Sequence, residues 1–268
     1  MTHILRTTTA ILVALSLIVL HPGAHAAPSA SEIGVVVMHG KGGRPGKFVD
    51  ELAAALEGAG FQVANLEMPW SGRRQYDTNM QGAVDEITRA FDAMRAKGAH
   101  KLFVAGHSQG GMFALHYAGV RRVDGVLAIA PGGQVDASSF APKLAAHVQK
   151  AREMVENGQG AEKASFSDYE SSRGTNPITT TAAIYLDWFD PNGSHTSRIF
   201  GRVQEGTPVL YVAPTRDYPG LAKGKERNFG ALPSHTHKRL YQPDSDHLHA
   251  PGAAASEAIL WIRQVSER

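Results

Sequence analysis

Leu102-Phe103-Val104-Ala105 runs without a linker into Gly106-His107-Ser108-Gln109-Gly110-Gly111-Met112. The first four residues read as a strand buried on both faces, which is the pattern of a parallel sheet. The residues after Ser108 open a helix carrying Met112, Leu115, His116 and Tyr117. Gly106 and Gly110 flank the serine in Gly-x-Ser-x-Gly and keep side chains out of the tight bend where strand and helix cross. Such a bend lifts the side chain at its apex clear of the sheet. Ser108 stands at that apex, which makes it the leading candidate for a catalytic nucleophile.

The rest of the chain repeats the same alternation. Ile33 to Met38 is an apolar, β-branched run, read as a buried strand. Phe48, Leu52 and Leu56 then recur every four residues as a helical face that ends at Gly58 and Gly60. Phe61 to Leu66 reads as the next strand. Met80, Val84, Ile87, Phe91 and Met94 mark an amphipathic helix stopped by Gly98. Lys101 to Ala105 feeds the bend, and Val123 to Ala130 is a further apolar strand closed by Pro131-Gly132-Gly133. Alternating strands and helices imply an α/β domain, a mostly parallel central sheet with helices on both faces.

The rhythm breaks after Gln134. From there to about Gly206 no comparable buried strand is evident. A polar helical stretch, Lys143 to Glu156, leads to Gly158-Gln159-Gly160, then a Ser/Thr-rich loop, then the apolar patch Ile184-Tyr185-Leu186-Asp187-Trp188-Phe189. Residues 134–206 read either as a cap inserted between sheet strands or as loops and helices packed beside the sheet. The alternation resumes with the strand Thr207 to Ala213, a loop and helix, the weaker strand His237 to Tyr241, and a last helix from Ala253 to Val265.

The amino terminus is expected to lie outside the fold. Arg6, an apolar stretch at 10–20 and Ala24-His25-Ala26 form the three parts of a secretory signal peptide, cut after Ala26. The apolar stretch is shorter than the ~20 residues a membrane span needs. The expectation is therefore a signal peptide at 1–26, a domain at 27–268, a periplasmic or secreted location, and no stable membrane anchor after cleavage. The formal charge of +2, without a long basic run, argues against a nucleic-acid partner. The chain has no cysteine, which excludes disulfides, a thiolate nucleophile and a lipidated cysteine anchor.

A serine hydroxyl is a weak nucleophile at neutral pH and needs a base, itself oriented by a carboxylate. Asp217 follows the strand Thr207 to Ala213, in Pro214-Thr215-Arg216-Asp217, and Asp136 after the preceding strand is its rival. His247, in Asp244-Ser245-Asp246-His247-Leu248-His249, precedes the last helix, and His249 is two residues away. Two backbone N–H groups are needed for a developing oxyanion. Gln109, at the helix start, is one candidate. Lys41, in the loop Met38-His39-Gly40-Lys41-Gly42-Gly43, is the other. Ser234-His235-Thr236-His237 holds a histidine pair at strand spacing but no evident third metal ligand, so no metal is expected.

These pieces together resemble the α/β-hydrolase superfamily, in its serine-esterase and serine-aminopeptidase-like branch, from about Ile33 onward. The resemblance implies an eight-stranded hydrolase sheet, a Ser108–Asp217–His247 triad and no cofactor. The loop after the second strand, Glu67-Met68-Pro69-Trp70-Ser71-Gly72-Arg73-Arg74, departs from the Asp-x-x-Gly-x-Gly-x-Ser common in lidded lipase-like members. Trp70, Tyr185 and Trp188 are candidates for lining a substrate pocket, with ordinary core packing an equal reading for Tyr185 and Trp188. The expected reaction is cleavage of a small-molecule carboxylic ester through an acyl-enzyme. An amidase, peptidase or thioesterase would use the same machinery, and a non-catalytic binding protein on the same fold is the remaining alternative.

Overall fold

Six strands form one sheet in the order β2-β1-β3-β4-β7-β8, and every neighbouring pair is parallel. They are β1 (Ile33–Met38), β2 (Gln62–Leu66), β3 (Lys101–His107), β4 (Gly125–Ile129), β7 (Val209–Val212) and β8 (Arg239–Tyr241). The protein is described by a computed structural model, covering residues 27–170 and 173–267. The expected signal peptide at 1–26 lies outside the described residues.

The helices are α1 (Asp50–Gly58), α2 (Met80–Arg95), α3 (Gln109–Val120), α4 (Ala141–Glu156), α5 (Ala182–Phe189), α6 (Pro219–Ala231), α7 (Ala250–Ala253) and α8 (Ala255–Ser266). Alternate strand residues feed two cores, because successive side chains leave opposite faces of a sheet. Val35, Val37, Phe103, Ala105, Leu127, Ile129, Leu210 and Val212 pack with Leu52 and Leu56 of α1 and Trp261 and Ile262 of α8. Val36, Met38, Val104, Val126, Ala128, Val209 and Tyr211 pack with α2 and α3 on the other face. The inner strands β1, β4 and β7 are buried along their whole length. Both edges, β2 and β8, are half-exposed and short, which limits the unpaired strand surface offered to other chains.

Two expectations are corrected. The sheet has six strands among the described residues, rather than the eight implied by resemblance, and its parallel pairing agrees with the expected central sheet. The second concerns the segment between β4 and β7, where no comparable buried strand is expected and the sequence reads in part as a Ser/Thr-rich loop. It contains an antiparallel hairpin, β5 (Lys163–Glu170) and β6 (Gly174–Thr181), in register Phe166↔Ile178 and Asp168↔Asn176. Its pattern is period-2, but faint. Phe166 and Asp168 on β5, and Ile178 and Thr180 on β6, are the buried positions, so only two of the four are apolar.

The hairpin is sealed by aromatics. Phe166 stacks on Tyr185 of α5 at 4.3 Å, and Tyr185 on Phe189 at 4.6 Å. Trp188 then packs edge-on to Trp70 and Tyr76 at 5.7 and 5.5 Å. This cluster is continuous with the α2–α3 core. No helix among the described residues is long and apolar enough to cross a membrane.

Candidate active site

Ser108 occupies the single residue between β3 and α3, with φ 55° and ψ −117°. This is a left-handed region that side chains other than glycine avoid, at a cost of roughly 1–3 kcal/mol. The surroundings enforce it. The Ser108 N–H donates to Ile129 O at 2.9 Å, and the Ser108 carbonyl accepts from Met112 N at 3.1 Å and Gly132 N at 3.2 Å. The two glycines of the motif have separate reasons. A Cβ on Gly106 would collide with the Gly110 carbonyl, and one on Gly110 would lie 2.6 Å from Met38 O and 2.7 Å from His39 O. The strand–helix crossing and the β1 loop are therefore closer than any side chain permits.

The loops after β7 and β8 extend the sheet by a few residues beyond its strands. Ala213 N donates to Tyr241 O at 2.9 Å, Thr215 N to Pro243 O at 3.0 Å and Arg216 N to Ser245 O at 3.0 Å, with a parallel bridge between Arg216 and Asp246. The next residue on each side is Asp217 and His247. His247 Nδ1 lies 2.7 Å from Asp217 Oδ1, and both side chains are buried. An ionised carboxylate only accepts, so Nδ1 carries the proton and donates it, leaving Nε2 as the basic nitrogen. Two rings pack against the imidazole, Tyr218 stacked at 4.4 Å and His107 tilted at 4.8 Å.

The rivals go elsewhere. Asp136 accepts from Ser197 N at 2.8 Å and Ser197 Oγ at 2.5 Å. His249 pairs with Asp246 at 2.8 Å, with its side chain 72% exposed.

The β1 loop is pinned from beneath. His39 Nε2 accepts from Met68 N at 3.0 Å, so its Nδ1 holds the proton and donates to Gly40 O at 2.7 Å. Gly43 N donates to the same carbonyl at 3.0 Å. Burial keeps the His39 pKa below its usual value. In a trans peptide the N–H points opposite the C=O, so fixing Gly40 O also fixes the direction of the Lys41 N–H. A Cβ on Gly40 would lie 3.2 Å from Ser108 Cβ, which places this peptide directly beside the elbow. The Gln109 N–H is at the first turn of α3, where amides have no intrahelical acceptor and the helix dipole favours negative charge.

His107, absent from the candidates drawn from sequence, also belongs here. Its Nε2–H donates to His247 O at 2.9 Å. Burial, then the neighbouring His247, depresses its pKa to about 3, so the ring is neutral. Being next to Ser108 in sequence was the one available signal.

A cavity of about 980 Å³ opens over these residues. Ser108, Gln109, His107, His247, Gly40 and Lys41 all line it, with Phe48, Phe140, Tyr218, Leu221 and Leu248 as its apolar and aromatic wall. The three pocket candidates from sequence are corrected: Trp70, Tyr185 and Trp188 are not among the lining residues. They are at most 1% exposed and their polar atoms are spent inside the protein. Trp70 Nε1 donates to His39 O, Tyr185 Oη to Ser167 O and Trp188 Nε1 to Thr78 O, each at 2.8 Å. Among the described residues no group of three or more His, Cys, Asp or Glu is arranged to hold a metal.

Residues 30–240 match the family model for serine aminopeptidase, S33. The chain belongs to this family of α/β-hydrolases. As an α/β-fold serine hydrolase it is similar in structure to a metagenome-derived lipolytic enzyme of the LipS and LipT pair, with 20% identity and a TM-score of 0.61 over 88% of this chain and 95% of that one. A monoacylglycerol lipase from Paleococcus ferrophilus gives 21% identity and a TM-score of 0.57 over 87% and 94%. The siderophore hydrolase EstB from Aspergillus fumigatus gives 14% and 0.61 over 88% and 92%. At these identities the likeness concerns the fold of the hydrolase. A sequence search of curated proteins found no match.

Proposed function

We propose that this hydrolase is an exported carboxylic-ester hydrolase acting through Ser108, His247 and Asp217. The observation that carries the reading is the buried Asp217–His247 pair at 2.7 Å, whose histidine lines one cavity with a serine held at φ 55°. His247 Nε2 takes the Ser108 proton as Oγ attacks the ester carbonyl. The Lys41 and Gln109 amides receive the negative charge on the carbonyl oxygen. His247 returns the proton to the departing alcohol, then activates water to release the acid and regenerate Ser108. Asp217 fixes the imidazole tautomer throughout.

An ester, rather than a peptide with a free amino terminus, is favoured by the cavity's charges. Recognition of an ammonium group calls for an available carboxylate. The cavity carboxylates, Asp136 and Glu170, are engaged by Ser197 and Arg173, whereas Lys47, Lys223 and Arg227 also line it. Lipolytic and siderophore hydrolases among the structural neighbours support the same choice. Export rests on the signal-like residues 1–26. The test is turnover of p-nitrophenyl acetate beside the matching anilide and thioester. Wild-type protein is expected to prefer the ester and Ser108→Ala to be inactive. Retained ester turnover in Ser108→Ala would overturn the reading.

A further inference from the structure

We propose that Asp168, on the β5–β6 hairpin, positions the two amides that flank Ser108 and so sets the rate of the chemical step. The inference rests on the assignment of Ser108 as nucleophile.

One carboxylate reaches both amide-bearing residues. Asp168 Oδ1 accepts from Lys41 Nζ at 2.5 Å, and the same ammonium donates to Tyr169 O at 3.1 Å. Asp168 Oδ2 accepts from Tyr76 Oη at 2.9 Å, and Tyr76 Oη in turn accepts from Gln109 Nε2 at 3.3 Å. The chain Lys41–Asp168–Tyr76–Gln109 thus runs from one residue bearing a candidate oxyanion donor to the other, by way of the hairpin. A second strut comes from the hairpin turn, where Arg173 Nη2 donates to Lys41 O at 3.2 Å.

Three of the four members are removed from water, and the Lys41 side chain is 11% exposed. Asp168 is 5% exposed, and Tyr76 and Gln109 are each 2% exposed. Burying an ion pair generally yields little net stability, because desolvation offsets the attraction, although removing one partner alone is costly. Lys41 would be cheaper in solvent. Burial of Tyr76 and the neighbouring Asp168 charge raise its pKa well above the usual value, so its hydroxyl stays protonated as a donor.

The backbone around Tyr76 is also held in an unfavourable form. Gln75 and Tyr76 have φ of 50° and 58°, a conformation costly for side chains of this size. The hairpin fixes it: Thr180 Oγ1 donates to Tyr76 O at 2.6 Å and Thr179 N to Gln75 Oε1 at 3.1 Å. Two strained residues and a buried charge pair converge on one outcome, the orientation of Lys41 and Gln109. Asp168 touches neither Ser108 nor the reacting carbonyl, so it acts as a positioning residue.

The experiment measures Asp168→Asn, Tyr76→Phe and Lys41→Met in the full chain, with Asp168→Glu as the conservative variant. p-Nitrophenyl acetate gives kcat and KM. Phenylboronic acid, which forms a tetrahedral adduct with an active serine, gives an inhibition constant that reports amide placement. Losing one oxyanion donor costs about 10²–10³-fold in kcat, so displaced donors are expected to cost tenfold or more. KM is expected to stay within about threefold, the boronate constant to weaken in parallel with kcat, and Asp168→Glu to recover part of both. A folded Asp168→Asn with kcat and boronate affinity within twofold of wild type overturns the proposal. So does a loss confined to KM. If Asp168→Asn does not fold, Tyr76→Phe, which deletes one hydroxyl, decides by the same criteria. Inactive Ser108→Ala with unaffected network variants removes only this inference. Active Ser108→Ala removes the assignment beneath it as well.

Discussion

Asp217 and His247 meet because the residue before each, Arg216 and Asp246, forms a parallel bridge. That bridge prolongs the β7–β8 pairing past the ends of the strands. It delivers a carboxylate and an imidazole to the same level, 2.7 Å apart and 30 positions apart in sequence. His249, two residues on, has already left the sheet direction and faces solvent with Asp246.

This pairing makes Asp217 and His249 separable by mutation. Asp217→Asn is expected to lower kcat for p-nitrophenyl acetate by about 10⁴-fold, since an amide no longer fixes the Nδ1–H tautomer. His249→Ala is expected to remain within about threefold. Steady-state kinetics on the two purified variants check the contrast, and equal losses would contradict it.

Gly110 carries a stability prediction. A methyl group there would press on the Met38 and His39 carbonyls at 2.6 and 2.7 Å, and backbone cannot yield as a side-chain tip can. Gly110→Ala is expected to cost about 3 kcal/mol or more, the upper range for overpacking. Urea unfolding followed by tryptophan fluorescence measures it. Gly220→Ala is the control, because a Cβ there meets nothing within 4 Å.

Buried histidines predict the direction of acid sensitivity. Burial depresses His195 to about 3 and His116 to about 4, against about 6.5 in an unfolded chain. As pH falls below ~6.5 the unfolded state binds protons that the folded state does not, so stability declines with falling pH. Each group contributes up to ~1.4 kcal/mol per pH unit until its folded pKa is reached. Unfolding free energies between pH 7 and 5 are expected to drop accordingly. His195→Gln is expected to flatten the slope by one proton's worth, whatever its stability at pH 7.

The aromatic residues separate core from cavity. Trp188→Ala is expected to cost about 3–5 kcal/mol, because Trp188 packs at once against Trp70, Tyr76 and Phe113. Phe140→Ala, on the cavity wall, is expected to change KM for longer acyl esters more than it changes stability. Denaturation and an acyl-chain series on both variants test the division.

The comparison of Trp188 with Phe140 also shows where sequence reading fell short. An apolar patch at 184–189 is legible as buried surface, but a tryptophan in it fits a pocket and a core equally well. Only the partners decide, and they come from α3 and from the loop after β2. The hairpin was hidden for a different reason. Strands such as Lys163–Glu170 and Gly174–Thr181 bury one large apolar residue each and otherwise read as polar loop. Asp168 left no trace in sequence, since its meaning lies in Lys41 and Tyr76, over 90 positions away.

What the sequence determined by itself was the alternation of apolar runs and helical faces, the bend at Ser108, and the order of Ser108, Asp217 and His247. These are local properties: a buried strand, a glycine pair and a loop position after a strand are written in consecutive residues. Tertiary structure decided which aspartate faces His247, which aromatics face the cavity, and that Asp168 links Lys41 to Gln109. Those depend on distances between segments remote in the chain, set by how strands of unequal length end at a common edge and by which side chains the closed core leaves room for.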